Sequence, residues 1–152
     1  MRKDIDKKFI PRHLARRATL MAMYAHQLSG ENDPQKLLQI VVSYDELPEQ
    51  SLGFLNELLI AALKWEKFSD SIIEQVAENW EIGRISAIDR NILRIGIAEF
   101  LDFPLISHKI TIDEAVELAK EFGSAQSSKF VNGVLDAALK KLMQMNKINL
   151  QQ

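Results

Sequence analysis

The sequence predicts an all-α protein, and three observations carry that expectation. Apolar residues recur at three- and four-residue spacing along most of the 152 residues. No sustained alternation of apolar and polar residues is bounded by hairpin turn signals. The interruptions fall where proline and glycine would end a helix, at Gly30, Pro34, Pro48, Pro104 and Gly123. A chain of this length is expected to form one compact helical domain over residues 11–145, burying about 70% of the surface its unfolded form exposes. A basic extension, residues 1–10, precedes it, and a polar tail, residues 146–152, is expected to fray.

The elements follow in order. Pro11 opens the first helix, because its fixed φ and missing N–H suit the first helical position, and the helix runs to about residue 28, where Ser29-Gly30-Glu31-Asn32-Asp33-Pro34 breaks it. A short helix covers residues 34–44. Pro48 opens a third, with Leu52, Leu55, Leu59, Ala62 and Leu63 directed at a core, up to about Trp65. Residues 69–80 carry Ile72, Ile73, Val76 and Trp80 on one side and Asp70, Glu74 and Glu78 on the other, an amphipathic surface helix. Ser86 caps the fifth helix, whose Ile88, Ile92, Leu93, Ile95, Ile97 and Phe100 cover so much of the circumference that it should lie deep. Thr111 and Glu114 read as a capping box, which starts the sixth helix at Thr111. Gly123 closes it as a left-handed cap, and after the polar link 124–128 the last helix runs to about residue 145.

Composition narrows the function classes. Without cysteine there is no disulfide, thiolate metal ligand or cysteine nucleophile, which fits the cytoplasm. The longest apolar run, residues 58–63, is too short to span a bilayer, so no membrane role is expected. His13, His26 and His108 are scattered and form no metal or catalytic pattern. Glu114, Glu117 and Glu121 read as a solvated helix face; no metal, no cofactor and no catalytic activity are expected. The net charge of −2 hides an asymmetry. Residues 1–20 hold seven basic groups against two acids, whereas residues 31–81 hold eleven acids against three lysines. One end can attract a polyanion and the middle a basic partner.

The first helix carries the nucleic-acid signal. On a 100° wheel Arg12, Arg16, Arg17, His13, Tyr24 and Gln27 share one side, opposite Leu14, Ala18, Met21 and Leu28, with Leu20 and Met23 intruding on the polar arc. Guanidiniums for phosphates, a ring for stacking and an amide for a base edge are what a single strand needs. The same pattern also fits a solvated face, or one that meets a membrane or a protein. Near the other end, Lys129 and Asn132 share a face one turn apart while Phe130, Val131, Val134 and Leu135 point inward.

Asp89-Arg90-Asn91-Ile92-Leu93-Arg94-Ile95, the segment 111–120, Phe122-Gly123 and Ser128-Lys129-Phe130-Val131-Asn132-Gly133-Val134-Leu135 together resemble the family of the bacterial transcription antitermination factor NusB, over about residues 11–142. The resemblance implies a seven-helix domain that binds the boxA segment of ribosomal-RNA leader transcripts with NusE, a small-subunit ribosomal protein, within a termination-resistant RNA polymerase complex. It assigns RNA contact to Arg12, Arg16, Arg17, Tyr24 and Gln27 in the first helix, and to Phe122, Ser127, Ser128, Lys129 and Asn132, which complete the same surface. Asp89 falls beside the family's protein-binding side. The chain departs from the family pattern in its ten residues before Pro11, in His26 and in Gln126. Residues 1–10 either stay disordered or order on RNA.

Other readings stay open at this point. The chain can be an RNA-delivery module related to the helical domain of RNA cytosine methyltransferases, or a structural homodimerisation module. Asp89, Arg90 and Arg94 also fit an internal ion-pair network, Gly96 and Gly133 fit close helix approach, and Trp65 and Trp80 fit core or rim packing.

Overall fold

A computed structural model describes residues 10–44, 46–77, 82–149 and 151. They form seven α-helices: α1 (Ile10–Ser29), α2 (Pro34–Tyr44), α3 (Glu49–Lys64), α4 (Glu66–Val76), α5 (Ala87–Asp102), α6 (His108–Phe122) and α7 (Ser127–Gln144), with one 3-10 turn at Ile82–Arg84. No strand occurs among the described residues. The all-α expectation holds, and so does the number of helices the resemblance implied. The basic segment before Ile10 and the expectations for Glu78 and Trp80 lie outside the described residues.

The chain divides into two compact units, Met1–Ile60 and Ala61–Gln152. In the first, α1 packs on α2. The buried face of α1 consists of Ala15, Arg16, Ala18, Thr19, Leu20, Ala22 and Met23. This corrects the wheel: Leu20 and Met23, which had seemed to intrude on a polar arc, are core, whereas Leu28 is exposed. The small residues decide the face. Ala15, Ala18 and Ala22 add little bulk, and Thr19 satisfies its buried hydroxyl by donating to the Ala15 carbonyl at 2.8 Å. Gly30 takes φ +79° and donates its N–H to the His26 carbonyl at 2.9 Å, ending α1 where a residue with a Cβ would be strained. In α3, Leu55, Leu58 and Leu59 are buried, while Leu52, expected in the core, is 39% exposed.

The second unit is built around α5, which meets α4, α6 and α7. Every residue from 91 to 100 is buried, as the all-round apolar pattern predicts. Ser86 caps the helix as expected, accepting the Asp89 N–H at 3.1 Å. Gly96 permits close approach: a Cβ there would stand 2.9 Å from the Leu135 Cδ2 atom of α7. Gly133 does not, since it is exposed and a Cβ would meet nothing within 4 Å. Arg94 confirms the internal ion-pair reading. Its Nε and Nη2 grip both Asp70 oxygens at 2.7 Å, its Nη1 donates to Asn91 Oδ1 at 3.0 Å, and Glu66 lies at 3.6 Å. Residues 66–68, placed before the expected start of α4, join that helix and bring Glu66 into this cluster.

Three end-of-helix expectations are overturned. Helix α6 begins at His108, not Thr111, and Thr111 lies buried inside it, donating its hydroxyl to Glu99 Oε1 of α5 at 2.9 Å. The hydroxyl that fitted a cap instead satisfies a buried carboxylate. Gly123 is extended, at φ −93° and ψ −169°, so it is not a left-handed cap. Nor does the tail simply fray. Asn146 takes φ 56° and its N–H reaches the Met143 carbonyl at 3.0 Å, while the Lys147 N–H reaches Leu142 at 2.9 Å. That paired arrangement closes α7. Farther on, the Gln151 side chain accepts the His108 N–H and donates to the Ile106 carbonyl, both at 2.9 Å. Ser107 makes no side-chain cap to α6, so Gln151 supplies the missing partner.

Candidate functional site

In the first unit the sequence-assigned residues of α1 behave unequally. Arg12 is exposed, Arg17 and Gln27 are half-buried, and the Tyr24 ring is 37% exposed. Arg16 is only 3% exposed. The guanidinium carbons of Arg12 and Arg16 each lie 5.1 Å from the centre of the Phe54 ring, so one ring of α3 carries two cations. A guanidinium that far from solvent holds Phe54, and Phe54 in turn holds Arg12 toward solvent. Arg12 has no ion pair among the described residues, so its charge is not cancelled by a carboxylate. Phe54 went unnoticed because nothing distinguishes it from the apolar residues around it in α3.

In the second unit the junction between α6 and α7 is organised by Ser127. Its hydroxyl accepts the Ser124 N–H at 2.9 Å and donates to Asp89 Oδ2 of α5 at 3.0 Å. The Ser124 hydroxyl lies 3.2 Å away, and the Ser124 carbonyl accepts the Ser127 N–H. Gly123 is required by this closeness. A Cβ there would come within 2.5 Å of Ser127 and 2.8 Å of the Ala119 carbonyl. Ser127 is 2% exposed and Asp89 9%. Ser127 thus locks the turn, and the Asp89 carboxylate faces it from α5. The motif Ser124-Ala125-Gln126-Ser127 directly after a glycine is the sequence signal that could have revealed this turn.

That locked junction presents the other assigned residues to solvent. Lys129 and Asn132 are exposed one turn apart, Ser128 is half-buried, and Phe122 is 38% exposed. Lys129 has no ion pair among the described residues. Beside them lies a cavity of about 460 Å³, lined by Ile85, Ile88, Asp89, Phe122, Phe130 and Arg84 among others. No group of three or more His, Asp or Glu side chains that could hold a metal occurs among the described residues, and none of their helices is long and apolar enough to cross a membrane.

Seven α-helices that offer exposed cations and rings from helix faces, backed by a buried turn that fixes where the last helix starts, define an all-α binding protein. The comparisons with known proteins make the class specific. The chain belongs to the NusB family, whose model matches residues 13–140. A relative from Salinibacter ruber, named transcription antitermination protein NusB, is 39% identical over 136 residues, spanning 89% of this chain and 84% of its own. The NusB structure from T. maritima matches with a TM-score of 0.78 at 31% identity, covering 90% of this chain and 95% of that one. A structure of antitermination factors NusB and NusE in complex with double-stranded RNA matches equally well, with a TM-score of 0.78, 30% identity, and coverage of 86% and 97%.

Proposed function

We propose that the chain is a transcription antitermination protein that binds boxA-type RNA of ribosomal-RNA leader transcripts together with NusE, as part of a complex on RNA polymerase. It acts as a non-enzymatic adaptor in the cytoplasm. The observation that carries this reading is the likeness to a NusB held with both NusE and RNA, which extends over 86% of this chain.

The residues divide by exposure. Arg12 and Lys129 neutralise phosphates, Tyr24 and Phe122 stack on bases, and Gln27, Ser128 and Asn132 reach base edges and ribose hydroxyls. Arg17, half-buried, contributes charge at the edge of the same helix face. Arg16 and Ser127 act behind them, the first through Phe54 and the second through the turn it locks. The acidic span 31–81 supplies the charge that a basic ribosomal protein would meet.

Fluorescence anisotropy tests the reading with boxA RNA and a scrambled strand, each with and without NusE. BoxA should bind in preference to the scrambled strand, and NusE should tighten that binding, with RNA tightening NusE by the same factor. Equal affinity for the two strands removes the sequence-selective reading. An RNA affinity indifferent to NusE removes the joint one.

A further inference from the structure

The turn that joins α5 to α6 holds a leucine out of the fold. The Ile106 N–H reaches the Phe103 carbonyl at 3.0 Å and closes the turn, and the Gln151 amide donates to the carbonyls on either side of Leu105, that of Pro104 at 3.4 Å and that of Ile106 at 2.9 Å. The Ile106 side chain is buried, whereas Leu105 is 99% exposed, more than any other large apolar side chain among the described residues. A turn braced at both neighbouring carbonyls holds that side chain in water by construction, at the loss of the burial that stabilises a core leucine. Beside it lies a cavity of about 520 Å³, lined by Leu101, Pro104, Leu105, His108, Lys147 and Ile148 among others. The charge at this cavity comes from Lys147, which is exposed and has no ion pair among the described residues. Its ammonium stands 5.6 Å from the centre of the Phe68 ring, a partner that orients a cation without neutralising it. Carboxylates on the adjoining helices are already matched: Asp102 of α5 by Lys64 and by the Trp65 indole N–H, and Asp113 of α6 by Lys109, each at 2.9 Å.

We propose that Leu105 and this cavity form a docking site for a protein segment that combines apolar side chains with carboxylates: its apolar side chains cover Leu105 and enter the cavity, and a carboxylate meets Lys147. This stands independently of the RNA-binding reading. The lining selects protein over nucleic acid. Its walls are largely aliphatic, and Phe100, its one aromatic ring besides the His108 imidazole, is 2% exposed and crosses that imidazole at 82° with the ring centres 5.4 Å apart, so no phenyl face is offered to a base. A single unpaired cation suits one carboxylate, where a nucleic-acid strand brings a run of phosphates. The volume is that of clefts that enclose a few side chains. The sign of the charge separates this partner from a basic one, which the acidic span 31–81 would attract.

The test follows the methyl signals of Leu105 and Ile148 in the full chain by NMR as a short synthetic peptide of leucine and glutamate is added, beside counterparts with glutamine in place of glutamate or serine in place of leucine. The leucine–glutamate peptide should shift both signals and bind more tightly than either counterpart. Leu105→Ser should leave the unfolding midpoint where it is, because the side chain is almost wholly in water, and should weaken that peptide about tenfold as read at Ile148. Leu28→Ser, at an exposed leucine of α1, should leave the peptide affinity unchanged. Lys147→Gln should remove the advantage of glutamate over glutamine. No shift at either methyl, equal peptide affinity in the wild type and Leu105→Ser, or a glutamate advantage that survives Lys147→Gln overturns the site. BoxA affinity should be the same in Leu105→Ser as in the wild type, so failure of the peptide arm leaves the RNA reading standing. If boxA RNA shifts these methyls, or raising the concentration of the chain alone does so, the cavity belongs to RNA or to a second copy and the proposal falls.

Discussion

Arginines in α1 and α5 are both withdrawn from water, and they are held by opposite means. Arg94 of α5 is gripped by two oxygens of Asp70 at 2.7 Å, with Glu66 at 3.6 Å, so its charge is spent inside the fold. Arg16 of α1 lies with Arg12 over the neutral ring of Phe54, and the charge of Arg12, which has no ion pair among the described residues, is oriented by that ring without being cancelled. The difference teaches how to tell a structural cation from one held ready for a ligand. A carboxylate partner closes the account locally, whereas an aromatic partner leaves the field of the cation available to a polyanion.

Substitutions sharpen that contrast, starting with the largest effect. Arg94→Met removes the cation from a partly buried carboxylate pair and should destabilise the protein by about 3 kcal/mol. Urea unfolding reads the loss, and RNA affinity measured well below the midpoint should be unchanged. A loss of RNA affinity at full folding would erase the distinction between the two arginines. Phe54→Leu deletes the shared ring and should cost about 1 kcal/mol in stability. Unlike the α5 change it should weaken RNA binding as well, because Arg12 loses the surface that orients it. Arg12→Gln should leave the unfolding midpoint where it is and reduce the salt dependence of RNA affinity by about 0.7 in the log–log slope, the release expected for one phosphate contact on a single strand. An unchanged slope would make Arg12 a packing residue like its neighbour. The smallest effect lies outside both clusters. Burial holds the His108 imidazole below its ordinary pKa of 6.5. Its proton is therefore bound more readily in the unfolded chain, and stability should be full above about pH 7 and decline as pH falls through 6.5 toward the folded value. His108→Gln should flatten that slope in thermal melts between pH 7.5 and 5.5.

The fold was legible wherever burial alone sets the pattern. Residues 91–100 read as a deep helix because their apolar side chains cover most of the circumference, and they are buried throughout, Asn91, Arg94 and Glu99 included. Proline and glycine marked the limits of α1 and α2 to within a residue. Polar side chains were harder, since their partners are distant in sequence. Thr111 and Glu114 matched a local capping rule, but Glu99 in α5 claims the threonine hydroxyl, and no local rule contains that residue. Asp89 also fits an internal network, but its hydrogen-bond partner there is Ser127, 38 residues away, which no local rule contains. The α1 wheel failed for a related reason. Arginine was presumed to face water, whereas the alanines around Arg16 mark the buried face and Phe54 makes its burial tolerable. Exposure of Arg12, Tyr24, Lys129 and Asn132 followed the reading from their spacing.

Gln151 reaches back to an element far from it in sequence. Its amide is bonded at once to the first N–H of α6 and to the Ile106 carbonyl just before it. Replacing Gln151 would therefore be felt 43 residues upstream, as a loosened entry into a helix whose own serine offers no substitute. The anchoring of this segment and the integrity of that helix entry are one property of this molecule.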